Sequence, residues 1–218
     1  MLTSGRNQVA QREDGRVTRR KLLNAACEVF AQKGYKGAKV ADICKQAGAN
    51  VASVNYYFGD KVSLYKEAWQ YALQNMAEPT FSELTAGSPH DLLRKYIQTM
   101  IQHFASKDRL GQFSRLYLME LVNPTGLIKD AWQEMIEPQR RILHDIIRAI
   151  IGPGAGELSI LFCELSIVNQ CRALVTIKNT DLQYMLGQPL CAELIERLVR
   201  HIADFSLAGI KAVGKGTA

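Results

Sequence analysis

A cluster of polar side chains between residues 53 and 61 could contact duplex nucleic acid. Ser53, Asn55, Tyr56 and Tyr57 lie within five residues, and Lys61 follows one helical turn later. Serine and tyrosine hydroxyls and a lysine ammonium can hold phosphate oxygens, and an asparagine amide can pair with an adenine edge. The alternatives are a place in the core for the tyrosines and a solvated charge for the lysine.

The apolar residues beside the tyrosines favour the phosphate interpretation. Adjacent residues of a helix cannot both face the interior. Val54 and Phe58 already form an inward pair four residues apart. At least one of Tyr56 and Tyr57 is therefore predicted to be exposed.

Two short helices joined by a tight turn are predicted to position this cluster. Apolar spacing indicates helices over about 39–47 and 51–57, and Asn50 at the end of the turn is the expected N-cap. This is the layout of a helix-turn-helix, whose second helix enters the major groove. The first helix would offer its N-terminal N–H groups to a phosphate. The predicted DNA-contacting residues are Lys39, Val51, Ala52, Ser53, Asn55, Tyr56, Tyr57 and Lys61.

The charge distribution agrees with this location. The 218 residues carry a formal net charge of +6. Residues 1–61 hold 11 basic and 5 acidic residues and residues 62–218 hold 16 of each, so the whole excess lies in the first 61 residues. Such a local excess is typical of a phosphate-backbone binder. A solvated basic leader at the N-terminus would give the same net charge without binding phosphates.

Helical periodicity continues through the rest of the chain. No segment alternates with period two, so the predicted fold class is all-α with about nine helices. Pro138 is expected to kink or split the helix that contains it. Thr18 is the expected N-cap of the first helix. The other predicted helices span about 18–33, 61–76, 90–105, 110–122, 126–151, 157–177 and 190–212, with a single turn at about 181–186.

Three regions are predicted from these patterns. They are a flexible basic leader over 1–15, a DNA-binding domain over 16–76 with its helix-turn-helix at about 39–58, and a helical C-terminal domain over 77–218. No apolar run approaches the roughly 18–20 residues of a membrane helix, and the polar N-terminus has no secretory segment, so no membrane partner and a cytoplasmic location are predicted.

The sequence offers no sign of catalysis. We find no catalytic motif, no metal-ligand spacing and no cofactor motif, so an enzyme, a metal site and a cofactor are not expected. The five cysteines lack CxxC spacing and are expected to be small buried hydrophobes.

The N-terminal motifs resemble the DNA-binding domain of TetR-type transcriptional regulators. The resemblance rests on residues 18–35, on Val40-Ala-Asp-Ile-Cys-Lys-Gln-Ala-Gly and on Ser53-Val-Asn-Tyr-Tyr-Phe-Gly-Asp-Lys. It implies that Tyr56, Tyr57 and Lys61 hold phosphates and that Asn55, where the family more often has Tyr, faces bases. Lys39 stands where Thr or Ser commonly opens the first helix of the motif.

Short stretches of the second half resemble the C-terminal domain of the CecR-type subgroup of TetR regulators. They are Glu120-Leu-Val-Asn-Pro-Thr, Ile136-Glu-Pro-Gln, Ser166-Ile-Val-Asn-Gln-Cys and His201-Ile-Ala-Asp-Phe-Ser-Leu-Ala-Gly. The resemblance implies a domain that senses a small molecule and dimerises through its last two long helices.

Two further sets of candidate residues follow. Each polar candidate has an ordinary alternative as a satisfied or surface group, and the apolar stripe would be core in a monomer but part of a bundle seam in a dimer. The candidate effector contacts are His103, Arg115, Glu120, His144, Asn169, Gln170 and Arg172. The candidate dimer interface is the stripe Leu194, Leu198, Ile202 and Phe205.

The favoured hypothesis is a homodimeric regulator, a repressor released from a palindromic operator by a small-molecule effector. The first alternative is a DNA-binding protein without an effector. The second is an all-helical enzyme with a basic arm, which requires a catalytic constellation that the motifs do not supply.

Overall fold

The computed structural model describes residues 4–74, 84, 86–106 and 109–216, and within these ranges it contains ten helices and no strand. The all-α prediction is confirmed, and the extra helix lies where only a single turn was expected. The helices are α1 (Ser4–Gly37), α2 (Val40–Ala47), α3 (Val51–Phe58), α4 (Lys61–Gln74), α5 (Pro89–Ala105), α6 (Arg109–Val122), α7 (Lys129–Ile151), α8 (Glu157–Thr176), α9 (Asn179–Leu186) and α10 (Ala192–Gly216).

Helix α1 begins much earlier than predicted. The expected flexible leader over 1–15 is helical from Ser4 onward, and residues 1–3 lie outside the described residues. Thr18 is therefore not an N-cap: it lies inside the helix and its hydroxyl donates to the carbonyl oxygen of Asp14 at 2.9 Å. The glutamine, alanine, arginine and glutamate residues before it are good helix formers, so a polar composition does not by itself end a helix. Gly34, at φ 66°, interrupts α1 as a glycine can without strain.

The chain divides into two compact units. The first comprises Met1–Met76 and Gln112–Lys129, and the second comprises Ala77–Gly111 and Asp130–Ala218. Most of α6 thus packs with the N-terminal helices, although its position in the chain predicted that it belongs to the C-terminal domain. The aromatic pairing of Trp69 with Phe113, with ring centres 5.5 Å apart, is one reason.

The first unit is built on α1, which packs against α2 and α4. Its most deeply buried side chains include Leu22, Phe30, Ile43, Leu64 and Trp69. Such residues recur on one face of each helix, and their burial supplies most of the stabilisation of a small helical unit. This packing fixes where α2 and α3 lie.

The second unit is built on α5, α8 and α10, whose buried faces share one core with α7. The buried carboxylate of Glu164 links α8 to α7, because it accepts a hydrogen bond from Arg140 Nε at 2.6 Å. Pro138 lies inside α7 without splitting it. At the end of α10 the backbone approaches α7 so closely that a Cβ on Gly214 would lie 2.6 Å from the carbonyl oxygen of Ile151.

One described helix, α8, is long and apolar enough to cross a membrane, with a mean hydropathy of 1.4 over 18 residues. The expectation that no segment would reach this level was wrong on that measure, because Glu164 and Arg172 lower the mean too little. In this fold Ile160 and Ile167 of α8 lie in the core. The carboxylate of Glu164 is paired, as a buried charge must be.

The cysteines follow the expectation with one exception. All five are free thiols, and Cys27, Cys44, Cys163 and Cys171 are buried. Cys191, just before α10, is exposed instead.

Candidate nucleic-acid interface

The turn between α2 and α3 has the predicted geometry. Gly48 adopts the left-handed conformation, with φ 64°, and its N–H donates to carbonyl oxygens of the last turn of α2. Asn50 caps α3, because its Oδ1 accepts the N–H of Ser53 at 2.8 Å. The two helices therefore meet at a short turn whose ends are both satisfied by the chain itself.

The inward face of α3 is held by the pair that the sequence indicated. Val54 and Phe58 are buried in the first unit. The guanidinium carbon of Arg19 lies 5.2 Å from the ring centre of Phe58, and Arg19 also pairs with Glu67 of α4. Since this face is fully occupied, the opposite face of α3 must point away from the core.

The outward face of α3 presents most of the predicted contacts. Val51, Ala52, Asn55 and Tyr56 are exposed, and Tyr57 is half-buried. Tyr56 is 82% exposed, which is far more than a core tyrosine would be. The structure thus places its hydroxyl and the Asn55 amide where an external ligand can reach them.

Ser53 and Lys61 already have partners within the protein. The hydroxyl of Ser53 donates to Asn50 Oδ1 at 2.9 Å, so it must give up this bond to donate to a phosphate. The ammonium of Lys61 lies 4.5 Å from the ring centre of Tyr35, and partial burial lowers the pKa of Lys61. To contact a phosphate, Lys61 has to swing away from this ring.

The N-terminus of α2 is where the sequence predicted a phosphate contact. Lys39 precedes it in an extended conformation, and no side chain caps the helix within the described structure. The N–H of Asp42 already donates to the Lys39 carbonyl oxygen at 3.0 Å, so only the N–H groups of the first two helical residues are left for an external acceptor. The helix dipole favours an anion there.

Nearby carboxylates are held by other groups. Asp42 accepts from Lys33 Nζ at 2.7 Å, and this hydrogen bond lowers the pKa of Asp42. Asp60 accepts the N–H of Ser63 at 2.7 Å, which lowers the pKa of Asp60 and caps α4. Both carboxylates are thus engaged by groups of the first unit.

The candidate effector residues are divided between the two units. Arg115 and Glu120 belong to the first unit. The others belong to the second: His103, His144, Asn169, Gln170 and Arg172.

Both carboxylate oxygens of Glu120 are already occupied within the first unit. Oε2 accepts from the Tyr65 hydroxyl at 2.7 Å, and Oε1 accepts from the N–H of Thr125 at 2.8 Å and from its hydroxyl at 2.9 Å. Burial, followed by this hydrogen bond, raises the pKa of Tyr65. This carboxylate links α4 to the turn after α6.

Three of the other candidates also have hydrogen-bond partners within the second unit. His144 Nε2 lies 2.6 Å from Glu157 Oε1, Asn169 donates to the Leu165 carbonyl at 2.8 Å, and Gln170 donates to the Ser166 carbonyl at 3.2 Å. His103 is buried on α5, and Arg172 is half-buried on α8.

The predicted interface stripe is not one exposed face. Ile202 is only 3% exposed and lies in the core, whereas Phe205 is 63% exposed. Leu194 and Leu198 are half-buried. The four residues lie on one helix, as their spacing predicted. Spacing alone does not show which of them are buried within the protomer.

The exposed apolar residues of α8 were not among the predicted interface residues, although the resemblance implied that this helix takes part in dimerisation. Leu158, Phe162 and Leu165, at positions i, i+4 and i+7, are 66%, 63% and 57% exposed. The sequence did contain a sign of this face, because α8 has more apolar residues than fit on the side that packs in the core. Large apolar side chains on the exposed face of a helix indicate a surface that another molecule can cover.

Two family models match the chain. Residues 22–68 match "Bacterial regulatory proteins, tetR family", which includes α2 and α3. Residues 89–210 match "HTH-type transcriptional dual regulator CecR, C-terminal domain".

Among curated relatives, the transcriptional dual regulator CecR of Shigella flexneri is 24% identical over 188 residues, which cover 81% of this chain and 83% of CecR. The regulator AcrR of Shigella flexneri is 25% identical over 113 residues, and there the match spans 51% of this chain and 50% of AcrR. The chain therefore spans about half the length of some relatives and most of CecR.

Solved structures share the fold at lower identity. FadR of Bacillus subtilis, crystallised in complex with stearoyl-CoA, has a TM-score of 0.59 and 18% identity and covers 87% of this chain and 97% of its own. HlyIIR, a hemolysin II transcriptional regulator, has a TM-score of 0.57 and 21% identity and covers 86% and 97%. With the two family models covering the helix-turn-helix and more than half of the chain, this protein belongs to the TetR family of bacterial transcriptional regulators and carries a CecR-type C-terminal domain.

Proposed function

We propose that the protein is a cytoplasmic, homodimeric repressor that is released from a palindromic operator by a small molecule, and that it has no enzymatic activity. The observation that carries the proposal is the outward face of α3, where an 82% exposed tyrosine stands beside the exposed Asn55. In this account Asn55 contacts base edges, while Tyr56, Tyr57 and Lys61 hold phosphates. Lys39, Val51, Ala52 and Ser53 lie at the two helix starts that approach the duplex.

The apolar face of α8 supports dimerisation. Leu158, Phe162 and Leu165 on α8 and Phe205 on α10 are large apolar side chains left exposed in the protomer. Contiguous exposed apolar surface marks an interaction site, and a two-fold contact would cover the same residues on both copies. Leu194 and Leu198 would lie at its edge. Such a dimer would present two α3 helices to half-sites about 34–36 Å apart.

The effector is proposed to bind in the second unit. The FadR structure with stearoyl-CoA shows that one protein of this fold holds an acyl-CoA. For this chain we retain His103, His144, Asn169, Gln170 and Arg172 as candidate contacts. An effector can release DNA only if it binds the released state more tightly than the DNA-bound state.

Selection from genomic DNA tests the proposal. The full chain is incubated with fragmented genomic DNA at low and at near-physiological salt, and the retained fragments are sequenced. We expect a shared palindrome at the higher salt, because base contacts add to the salt-sensitive phosphate contacts. Complete loss of binding at the higher salt, with no shared sequence, would overturn the proposal.

A thermal-shift screen with small molecules tests the effector. A specific ligand of the folded protein raises its melting temperature in a concentration-dependent manner. The same compound should reduce retention of the palindrome. A stabilising compound that leaves retention unchanged would argue for a DNA-binding protein without an effector.

A further inference from the structure

The exposed basic edge of α1, defined by Arg16 and Arg20, lies next to α3. A Cβ built on Gly15 would lie 3.3 Å from the Tyr57 hydroxyl oxygen, and Arg19 covers the Phe58 ring. Gly15 and Arg19 are one helical turn apart, so a single face of α1 packs on the C-terminal end of α3. This contact brings the stretch of α1 around Gly15 and Arg19 beside Tyr57, which is proposed to hold a phosphate.

Arg16 and Arg20 each follow one of these contact residues. A step of one residue turns a helix by about 100°, so both side chains leave the packed face on the same side. Both are exposed. Their positions are about 6 Å apart along the helix axis, four residues at about 1.5 Å each.

Among the residues from Asp14 onward whose side chains the structure describes, neither arginine has an ion-pair partner. The ion pairs of these described α1 side chains join Arg19 to Glu67 and Lys33 to Asp42. Like charges four residues apart repel each other and destabilise a helix. A pair of this kind, exposed beside the outward face of α3, is well matched to an external polyanion.

The geometry points to α1 as a second phosphate-contacting edge: Arg16 and Arg20 bind backbone phosphates that flank the segment read by α3. This inference rests on the proposed function, because it requires duplex DNA on the outward face of α3. Arginine suits the role, since its guanidinium donates two parallel hydrogen bonds to phosphate oxygens. Contacts of this kind raise affinity for every sequence and carry no base preference.

The test compares salt dependence in the full chain. Arg16→Gln/Arg20→Gln removes two charges per protomer, and Lys95→Gln/Lys178→Gln removes two exposed charges from the second unit as a matched control. Affinity is measured against salt on two probes, the fragment retained from genomic DNA and a duplex of mixed sequence.

A dimer of the Arg16→Gln/Arg20→Gln variant would bind four fewer phosphates. The slope of log affinity against log salt should therefore become shallower by about 3.6, at about 0.9 per phosphate. The reduction should be equal on both probes, and the ratio of the two affinities should not change. The control should keep the wild-type slope, and Arg16→Lys/Arg20→Lys should restore most of it. Thermal melting of each variant shows that it is folded.

The outcomes separate the two proposals. If Arg16→Gln/Arg20→Gln keeps the wild-type slope on both probes, α1 does not contact phosphates, and the proposed function stands. If the wild-type protein shows no preference between the probes, the proposed function fails. The slope on the duplex of mixed sequence then still decides whether α1 binds the DNA backbone.

Discussion

Neighbouring side chains on α3 are assigned different kinds of contact. The Asn55 amide can pair with an adenine edge through two hydrogen bonds, whereas the Tyr56 hydroxyl is proposed to hold a phosphate. Both are exposed, and neither supports the core of the first unit. Substitution at either position should therefore change DNA binding without unfolding the protein.

We predict that Asn55→Ala changes which sequences are retained. Losing a base contact costs about 1–3 kcal/mol on the preferred operator and little on other DNA. Tyr56→Phe is the matched comparison and should weaken binding to all sequences equally. Sequencing the fragments that each variant retains gives the answer, and an unchanged preference for Asn55→Ala would show that Asn55 does not contact bases.

The Glu120 carboxylate gives a second prediction at this scale. Glu120→Gln replaces one acceptor oxygen by an NH2 group that faces either the Tyr65 hydroxyl or the Thr125 N–H. We expect a loss of about 1–3 kcal/mol in the free energy of unfolding, because a buried donor loses its acceptor. Urea unfolding measures it. Glu28→Gln, an exposed change in the same unit, is the control, and equal effects of the two would contradict a structural role for Glu120.

At the scale of elements, α10 depends on one close approach to α7. Gly214→Ala would place a methyl group 2.6 Å from the Ile151 carbonyl oxygen, where only backbone movement can relieve the clash. We expect destabilisation by about 1–3 kcal/mol. A Cβ on Gly216, two residues later, meets no described atom within 4 Å, so Gly216→Ala should be nearly neutral. Equal melting temperatures for both variants would show that the approach is not tight.

The helix-turn-helix could be predicted from the sequence because its signals are local. The left-handed Gly48, the Asn50 cap and the Val54–Phe58 pair each act within a few residues of the chain. The candidate contacts on α3 followed from the same periodicity. By contrast, the contact of Lys61 with the Tyr35 ring could not be predicted, because Tyr35 is distant in sequence.

Packing between distant helices could not be predicted in the same way. Periodicity showed that α6 and α10 are amphipathic but not which partner covers each face. Thus α6 was assigned to the wrong unit, and Ile202 was placed on an interface although it lies in the core. The start of α1 was missed because polar residues can form a helix without an apolar stripe.

At the scale of the whole molecule, dimerisation should depend on the apolar face of α8. Phe162 is 63% exposed in the protomer, so Phe162→Glu should leave the fold intact and place a charge where two copies would meet. We expect monomers in sedimentation at concentrations where the wild type is dimeric. Tyr184→Glu, at an 89% exposed aromatic residue of α9, is the control and should stay dimeric. A dimeric Phe162→Glu variant would place the interface elsewhere.

The most direct test of the regulator account is a titration of the retained duplex against the same duplex with one half-site scrambled, at near-physiological salt. A dimer that places one α3 in each half-site predicts two protomers per intact duplex. It also predicts a large loss of affinity on scrambling, of the order of 10³-fold or more as binding approaches the non-specific level. Equal affinity for the two duplexes would contradict the account, since binding would then depend on charge alone.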